Sequence, residues 1–119
     1  MNINTFYKSS NSRKTENQIY TQVSFNLEHA IYKGHFPDNP VVPGIMQIEI
    51  IKHIFETEYS KSLQLKKVTS IKFLNIITPD VDHIEFNISY TLTDNIYKIK
   101  CVIKKEETIY TKFSGLFTI

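Results

Sequence analysis

His35 stands in the loop at residues 34–41, GHFPDNPV, and Glu49 follows fourteen positions later in a run rich in isoleucine. Near neutral pH an imidazole can take up a proton; burial among apolar neighbours would favour the protonated, donating form of a carboxyl group, while a nearby helix N-terminus would oppose that shift. A base and an acid fixed around an apolar slot are what elimination or addition of water next to a thioester carbonyl requires. Between them lies Pro43-Gly44. Proline suits the first turn of a helix, and glycine leaves its backbone N–H uncovered. Such amides can bind the oxygen of a polarised carbonyl as negative charge develops on it.

Each of these residues also has a plainer use. A lone histidine in a loop is often structural, and Pro43-Gly44 also serves ordinary helix initiation. Glu49 could reach solvent or pair with Lys52 or His53. His53 lies one helical turn beyond Glu49, close enough to hydrogen-bond to it, although a surface or core role suits it as well. His29 and His83 show no partner pattern. Cys101 alternates with apolar residues and reads as an inert core side chain. No spacing suggests a metal site, no glycine-rich phosphate loop is present, and no G-x-S-x-G elbow occurs.

The elements that must position these groups follow from periodicity. Residues 1–17 are polar, with a short strand near residues 3–7 or frayed chain expected. Residues 20–27 alternate, placing Val23, Phe25 and Leu27 on one face of a half-buried strand. Residues 33–43 carry Pro37, Pro40 and Pro43, which fix three φ angles and remove three donors, so a stiff loop without helix or central strand is expected. A helix is predicted from Gly44 to about Tyr59. Its apolar residues (Ile45, Met46, Ile48, Ile50, Ile51, Ile54, Phe55) cover most of the circumference, which points to burial, with a second copy of the domain covering part of it. Four strand-like runs follow: residues 68–77, ended by a turn at Thr78-Pro79-Asp80; residues 84–92; residues 97–103 after a tight Asp94-Asn95 turn; and residues 111–119 after a charged turn at 104–107. One long helix followed by an antiparallel meander is an α+β layout with the sheet wrapped around the helix.

Bulk properties narrow the class. The 119 residues suit one domain spanning 1–119, and 41% hydrophobic with 22% charged residues is a globular composition. No apolar run approaches the roughly 20 residues needed to cross a bilayer, and no secretory signal is visible. Neither membrane nor nucleic acid is an expected partner, because the net charge is only +2, from 14 basic and 12 acidic residues. The single cysteine forbids an internal disulfide and fits a reducing cytoplasm. Most lysines read as solvated surface. Lys61, Lys66, Lys67 and Lys72 could instead form a basic patch for an acidic carrier protein.

The stretch HFPDNPVVPGIMQIE, residues 35–49, closely resembles the signature of bacterial 3-hydroxyacyl-acyl-carrier-protein dehydratases of the FabZ and FabA type. Residues 71–85, IKFLNIITPDVDHIE, resemble the family's strand-turn-strand after the helix, and the likeness extends weakly from about residue 20 to the C-terminus. The resemblance implies the hotdog fold, a long central helix wrapped by an antiparallel sheet, assembled as a homodimer or a higher oligomer. It implies His35 as the catalytic base and Glu49 as the catalytic acid, contributed by different subunits, and the Gly44 amide as the donor to the thioester carbonyl. Phe36, Pro43, Ile45, Ile48 and Phe73 are the candidate walls of an acyl tunnel. The implied partner is acyl carrier protein bearing a 3-hydroxyacyl chain, with no cofactor and no metal, because the thioester stabilises the developing charge.

Glutamate at 49 resembles the FabZ branch, mainly dehydratases, so the resemblance implies dehydration more than double-bond isomerisation. Three features depart from the family: a shorter chain, His53 where glutamine is usual, and Pro79-Asp80 where proline-glycine is common. They point away from central fatty-acid synthesis toward a specialised pathway, such as polyene or polyketide-like lipid synthesis. Two rival readings keep the fold and change the function: a hotdog acyl thioesterase, and a weakly active hotdog subunit that pairs with an active dehydratase in a heterodimer.

Overall fold

A computed structural model describes residues 3–34 and 38–119. After a short 3-10 turn, Ile3–Thr5, the chain forms β1 (Tyr7–Lys14), β2 (Gln18–Phe25), a one-turn helix α1 (Ile31–Gly34), the long helix α2 (Gly44–Tyr59), and then β3 (Gln64–Phe73), β4 (Ile84–Thr93), β5 (Ile96–Lys105) and β6 (Thr108–Thr118). The strands make one antiparallel sheet in the order β1-β2-β4-β5-β6-β3. The expected α+β layout is present, but the meander is limited to β4, β5 and β6. β3 crosses over to lie outside β6, and β2 takes the place beside β4.

Alternation builds the core face. Ile19, Thr21, Val23 and Phe25 of β2 point inward, as do Ile84, Phe86 and Ile88 of β4, Tyr97, Ile99, Cys101 and Ile103 of β5, and Thr111, Phe113 and Phe117 of β6. Register aligns them in rows across the sheet. One row runs Thr21, Phe86, Ile103, Thr111 and ends at Phe73 on edge strand β3. Helix α2 packs Met46, Gln47, Ile50, Ile51, Ile54 and Phe55 into the same core.

Helix α2 has the predicted bounds. Pro43 precedes it in extended conformation (φ −61°, ψ 146°), the geometry required of a residue that enters a helix without belonging to it. Ser60 ends it in the left-handed region at φ 52°, and its N–H bonds to the Glu56 carbonyl. The helix is not covered all round within one chain. Ile45 is 63% exposed, Glu49 is exposed, and Ile48 is half-buried.

Several expectations need adjustment. The N-terminal strand is real but starts at Tyr7, where residues 3–7 were the expected strand or frayed chain. β1 is polar because only Tyr7 is buried; the rest is solvated edge. Leu27 falls outside β2 and is exposed. Lys33 and Gly34 belong to α1, so the stiff loop is shorter than predicted. β3 occupies residues 64–73 instead of 68–77. Beyond Phe73 the backbone bends away, with the N–H groups of Leu74 and Asn75 both donating to the Tyr110 carbonyl. The turns hold: Val81 N–H bonds to Thr78 O, and Asp94 and Asn95 adopt φ 52° and 65°, the left-handed pair that a tight hairpin demands.

Candidate active site

His35 and Phe36 lie outside the described residues. The remaining candidates are placed by α2 and β3. Pro43 and Gly44 form the mouth of α2, and Phe73, the last residue of β3, lies against Gly44. A Cβ added at Gly44 would stand 2.6 Å from Cζ of Phe73. Only glycine allows the ring to approach so closely. As the first helical residue, Gly44 also has no carbonyl within the helix to bond its N–H.

Pro43, Gly44 and Phe73 line one groove of about 500 Å³, together with Val42, Gln47 and the segment from Leu74 to Ile77. A second groove of about 520 Å³ shares Val41 and Ile76 with the first. Its walls include Asp38, Pro40 and Pro79, so it adjoins the chain that follows directly from residues 35–37. Three of the residues singled out in the sequence thus meet at one apolar cleft. Ile45 and Ile48 do not wall it: Ile45 lies with Glu49 on the open face of α2, and Ile48 packs partly against the core. Glu49 is two turns at most from the helix mouth, exposed on that open face.

A buried hydrogen-bonded chain underlies the helix mouth. Thr111 Oγ1 donates to Gln47 Oε1 at 2.6 Å, and Gln47 Nε2 donates to the Val42 carbonyl at 3.3 Å. The Val42 N–H donates to the Ile77 carbonyl at 2.8 Å. Sequence reading passed over Gln47 and Thr111. The available signal was a polar residue on an otherwise apolar helix side and a threonine on an inward-facing strand position.

His53 faces β1. Its Nδ1 lies 2.6 Å from the Tyr7 hydroxyl, and the two rings meet edge-to-face at 5.7 Å. Burial pushes the Tyr7 phenol well above its ordinary range, so it keeps its proton for that bond. His29 Nδ1 accepts from the Ile31 N–H, a local structural bond, and the backbone N–H of His83 donates to Ser24 Oγ on β2. Cys101 is buried, and burial raises its thiol well above the usual range, as suits an unreactive core residue. Among the described residues no three metal-ligating side chains cluster, and no helix is long and apolar enough to cross a membrane.

The arrangement has relatives. A protein from the dehydratase heterocomplex ApeI:P of Xenorhabdus doucetiae superposes with a TM-score of 0.70 at 13% identity, over 94% of this chain and 97% of that one. A protein from Erwinia carotovora subsp. atroseptica superposes at 0.54 and 18% identity, over 93% and 90%. At such identities the likeness shows the hotdog fold. Among curated sequences, 3-hydroxyacyl-[acyl-carrier-protein] dehydratase FabZ of Lactobacillus helveticus is 31% identical over 91 residues, 70% of this chain and 61% of that protein. FabZ of Wolbachia pipientis is 29% identical over 93 residues, 71% and 63%. The chain therefore spans somewhat over three-fifths of the length of these relatives. The family model described as ApeI dehydratase matches residues 11–113, from β1 nearly to the end of β6 and across the whole cleft. By that match the chain belongs to the ApeI-like dehydratase family.

Proposed function

We propose that this protein eliminates water from 3-hydroxyacyl thioesters to give trans-2-enoyl thioesters. The observation that carries the reading is the glycine helix mouth opening on an apolar cleft, with a carboxylate further along the same helix; the sequence places a histidine, His35, shortly before that mouth. His35 takes the C2 proton of the substrate. Its acidity is raised because the Gly44 N–H holds the thioester oxygen as enolate charge builds on it. The electron pair left at C2 forms the C2–C3 double bond as the C3–O bond breaks. Glu49 gives its proton to the departing hydroxyl, and water leaves. The acyl chain lies along the two joined grooves, past Phe73, Val41 and Ile76.

The assembly is a dimer in which the base and the acid of each site come from different copies. Support comes from the open face of α2 carrying Ile45 and Glu49, and from the ten-residue edge strand β3, whose outer side has no strand beside it among the described residues. The substrate is carried by acyl carrier protein, with the exposed lysines 61, 66, 67 and 72 as its docking charges. A specialised lipid pathway and a cytoplasmic location complete the reading.

A second reading has a specific motive, since the Xenorhabdus relative comes from a heterocomplex. In that reading this chain pairs with a different hotdog subunit that supplies the main activity. The reverse reaction separates the two. Purified protein given a 2-enoyl thioester should add water and bleach the conjugated enoyl absorbance. Absence of bleaching by the folded protein alone, restored by a second hotdog subunit, favours the heteromeric reading. Release of free thiol instead would point to a thioesterase.

A further inference from the structure

We infer that Thr111 and Gln47 are positioning residues that aim the Gly44 N–H, acting as a buried brace between the sheet and the helix mouth. The inference rests on the dehydratase reading for what that amide does, while the brace itself stands on geometry. Tyrosines and Cys101 aside, the polar side chains buried in the core within the described residues are Thr21, Gln47 and Thr111. Two of the three are bonded to each other under the cleft. Apolar residues of the same shape would fill that space at no loss of stability, since a buried hydrogen bond roughly offsets its own desolvation. A polar pair kept at this position instead supplies direction.

The direction is transmitted in short steps. Thr111 sits at the row end beside Phe73 and holds the Gln47 amide carbonyl. The other end of that amide holds the Val42 carbonyl, and the Val42 N–H is held by Ile77. Val42 is therefore fixed on both sides. Pro43 follows with φ set by its ring, and its carbonyl accepts from both Met46 and Gln47 N–H groups at 3.0 and 3.2 Å. That carbonyl and the Gly44 N–H belong to one peptide plane. With Val42 clamped, Pro43 φ locked and the Pro43 carbonyl held twice, that plane has no free rotation left. Loss of the Thr111 hydroxyl frees the Gln47 side chain and, through it, the Val42 carbonyl.

The test uses Thr111→Val, which keeps shape and removes the donor, beside Thr111→Ser, which keeps the donor. The chain has three glycines and Gly44 alone follows a proline. Labelling proline carbonyl carbon and glycine nitrogen therefore isolates the Gly44 amide as one cross-peak in NMR. The valine variant should move that cross-peak and lower kcat about tenfold to a hundredfold, as a small misplacement of a reacting group does. KM should stay within about twofold, because ground-state binding is untouched. The serine variant should return both the cross-peak and kcat. A destabilised but correctly aimed site would leave the folded-state cross-peak in place. The inference is overturned if Thr111→Val leaves the Gly44 cross-peak unmoved, or moves it without lowering kcat. If the unmodified protein turns over no 3-hydroxyacyl thioester, the dehydratase reading fails separately, and the cross-peak alone decides whether the brace sets the amide.

Discussion

Phe73 closes over Gly44, its ring tip where a side chain at 44 would begin. The contact joins the edge of the sheet to the mouth of the helix, and it makes residue 44 a glycine by shape. Gly44→Ala should therefore push the ring aside, which is feasible because Phe73 is 54% exposed. Stability should stay within about 1 kcal/mol of the original, since alanine is the better helix former. Turnover should fall about tenfold or more through the altered cleft. Combining the change with Phe73→Ala should be non-additive by about 0.5–3 kcal/mol in a double-mutant cycle on kcat/KM. Strict additivity would mean that the ring and the glycine act independently.

Glu49 is exposed on the open face of α2 within the single chain, so its replacement leaves that chain's core intact. Glu49→Gln should leave the urea midpoint nearly unchanged, within about 0.5 kcal/mol. Dehydration should drop about 10²- to 10⁴-fold with the loss of the proton donor. A variant that keeps most of its activity would remove Glu49 from the mechanism.

The open helix face and the unpaired edge of β3 predict complementation between copies. Subunits carrying His35→Ala and subunits carrying Glu49→Gln, each inactive alone, should regain on the order of a quarter of full activity when refolded together, because half the dimers are mixed and each holds one intact site. No recovery would place both groups in the same chain's site.

Two buried tyrosines should behave oppositely on removal of the hydroxyl. Tyr7 has a partner in His53, whereas the Tyr32 hydroxyl is buried without one among the described residues. Tyr7→Phe should cost about 1 kcal/mol, and Tyr32→Phe should be neutral or stabilising by up to about 1 kcal/mol. Burial raises both phenols, and also the Cys101 thiol, above their ordinary ranges. The folded state therefore holds protons that the unfolded chain gives up in alkali. Stability is fully present below the unfolded values, about 9 for the thiol and about 10 for the phenols, and is lost progressively as pH rises above them, by up to about 1.4 kcal/mol per pH unit for each group. Urea midpoints measured from neutral pH upward check this. A flat profile would contradict it.

Much of the framework was legible from periodicity. The bounds of α2 followed from its apolar spacing and from Pro43-Gly44, and the Asp94-Asn95 hairpin from its turn chemistry. β1 was not, because an edge strand with only Tyr7 buried has no hydrophobic alternation to read. β3 was misplaced for a related reason. Leu74 and Ile76 continue an apolar pattern, yet they are 51% and 72% exposed and belong to the cleft segment. In the site, Pro43, Gly44 and Phe73 line one groove. The brace of Gln47 and Thr111 depends on strand order, and β3 lying beyond β6 is a fact of topology that local sequence does not carry.

Intact-mass measurement of 3-hydroxyacyl-carrier-protein after incubation with the purified protein tests the central claim most directly, alongside His35→Ala and Glu49→Gln. The account predicts loss of one water from the carried acyl chain, at equilibrium with its hydrated form, and no loss with either variant. An acyl chain that keeps its water, or leaves the carrier as a free acid, would contradict it.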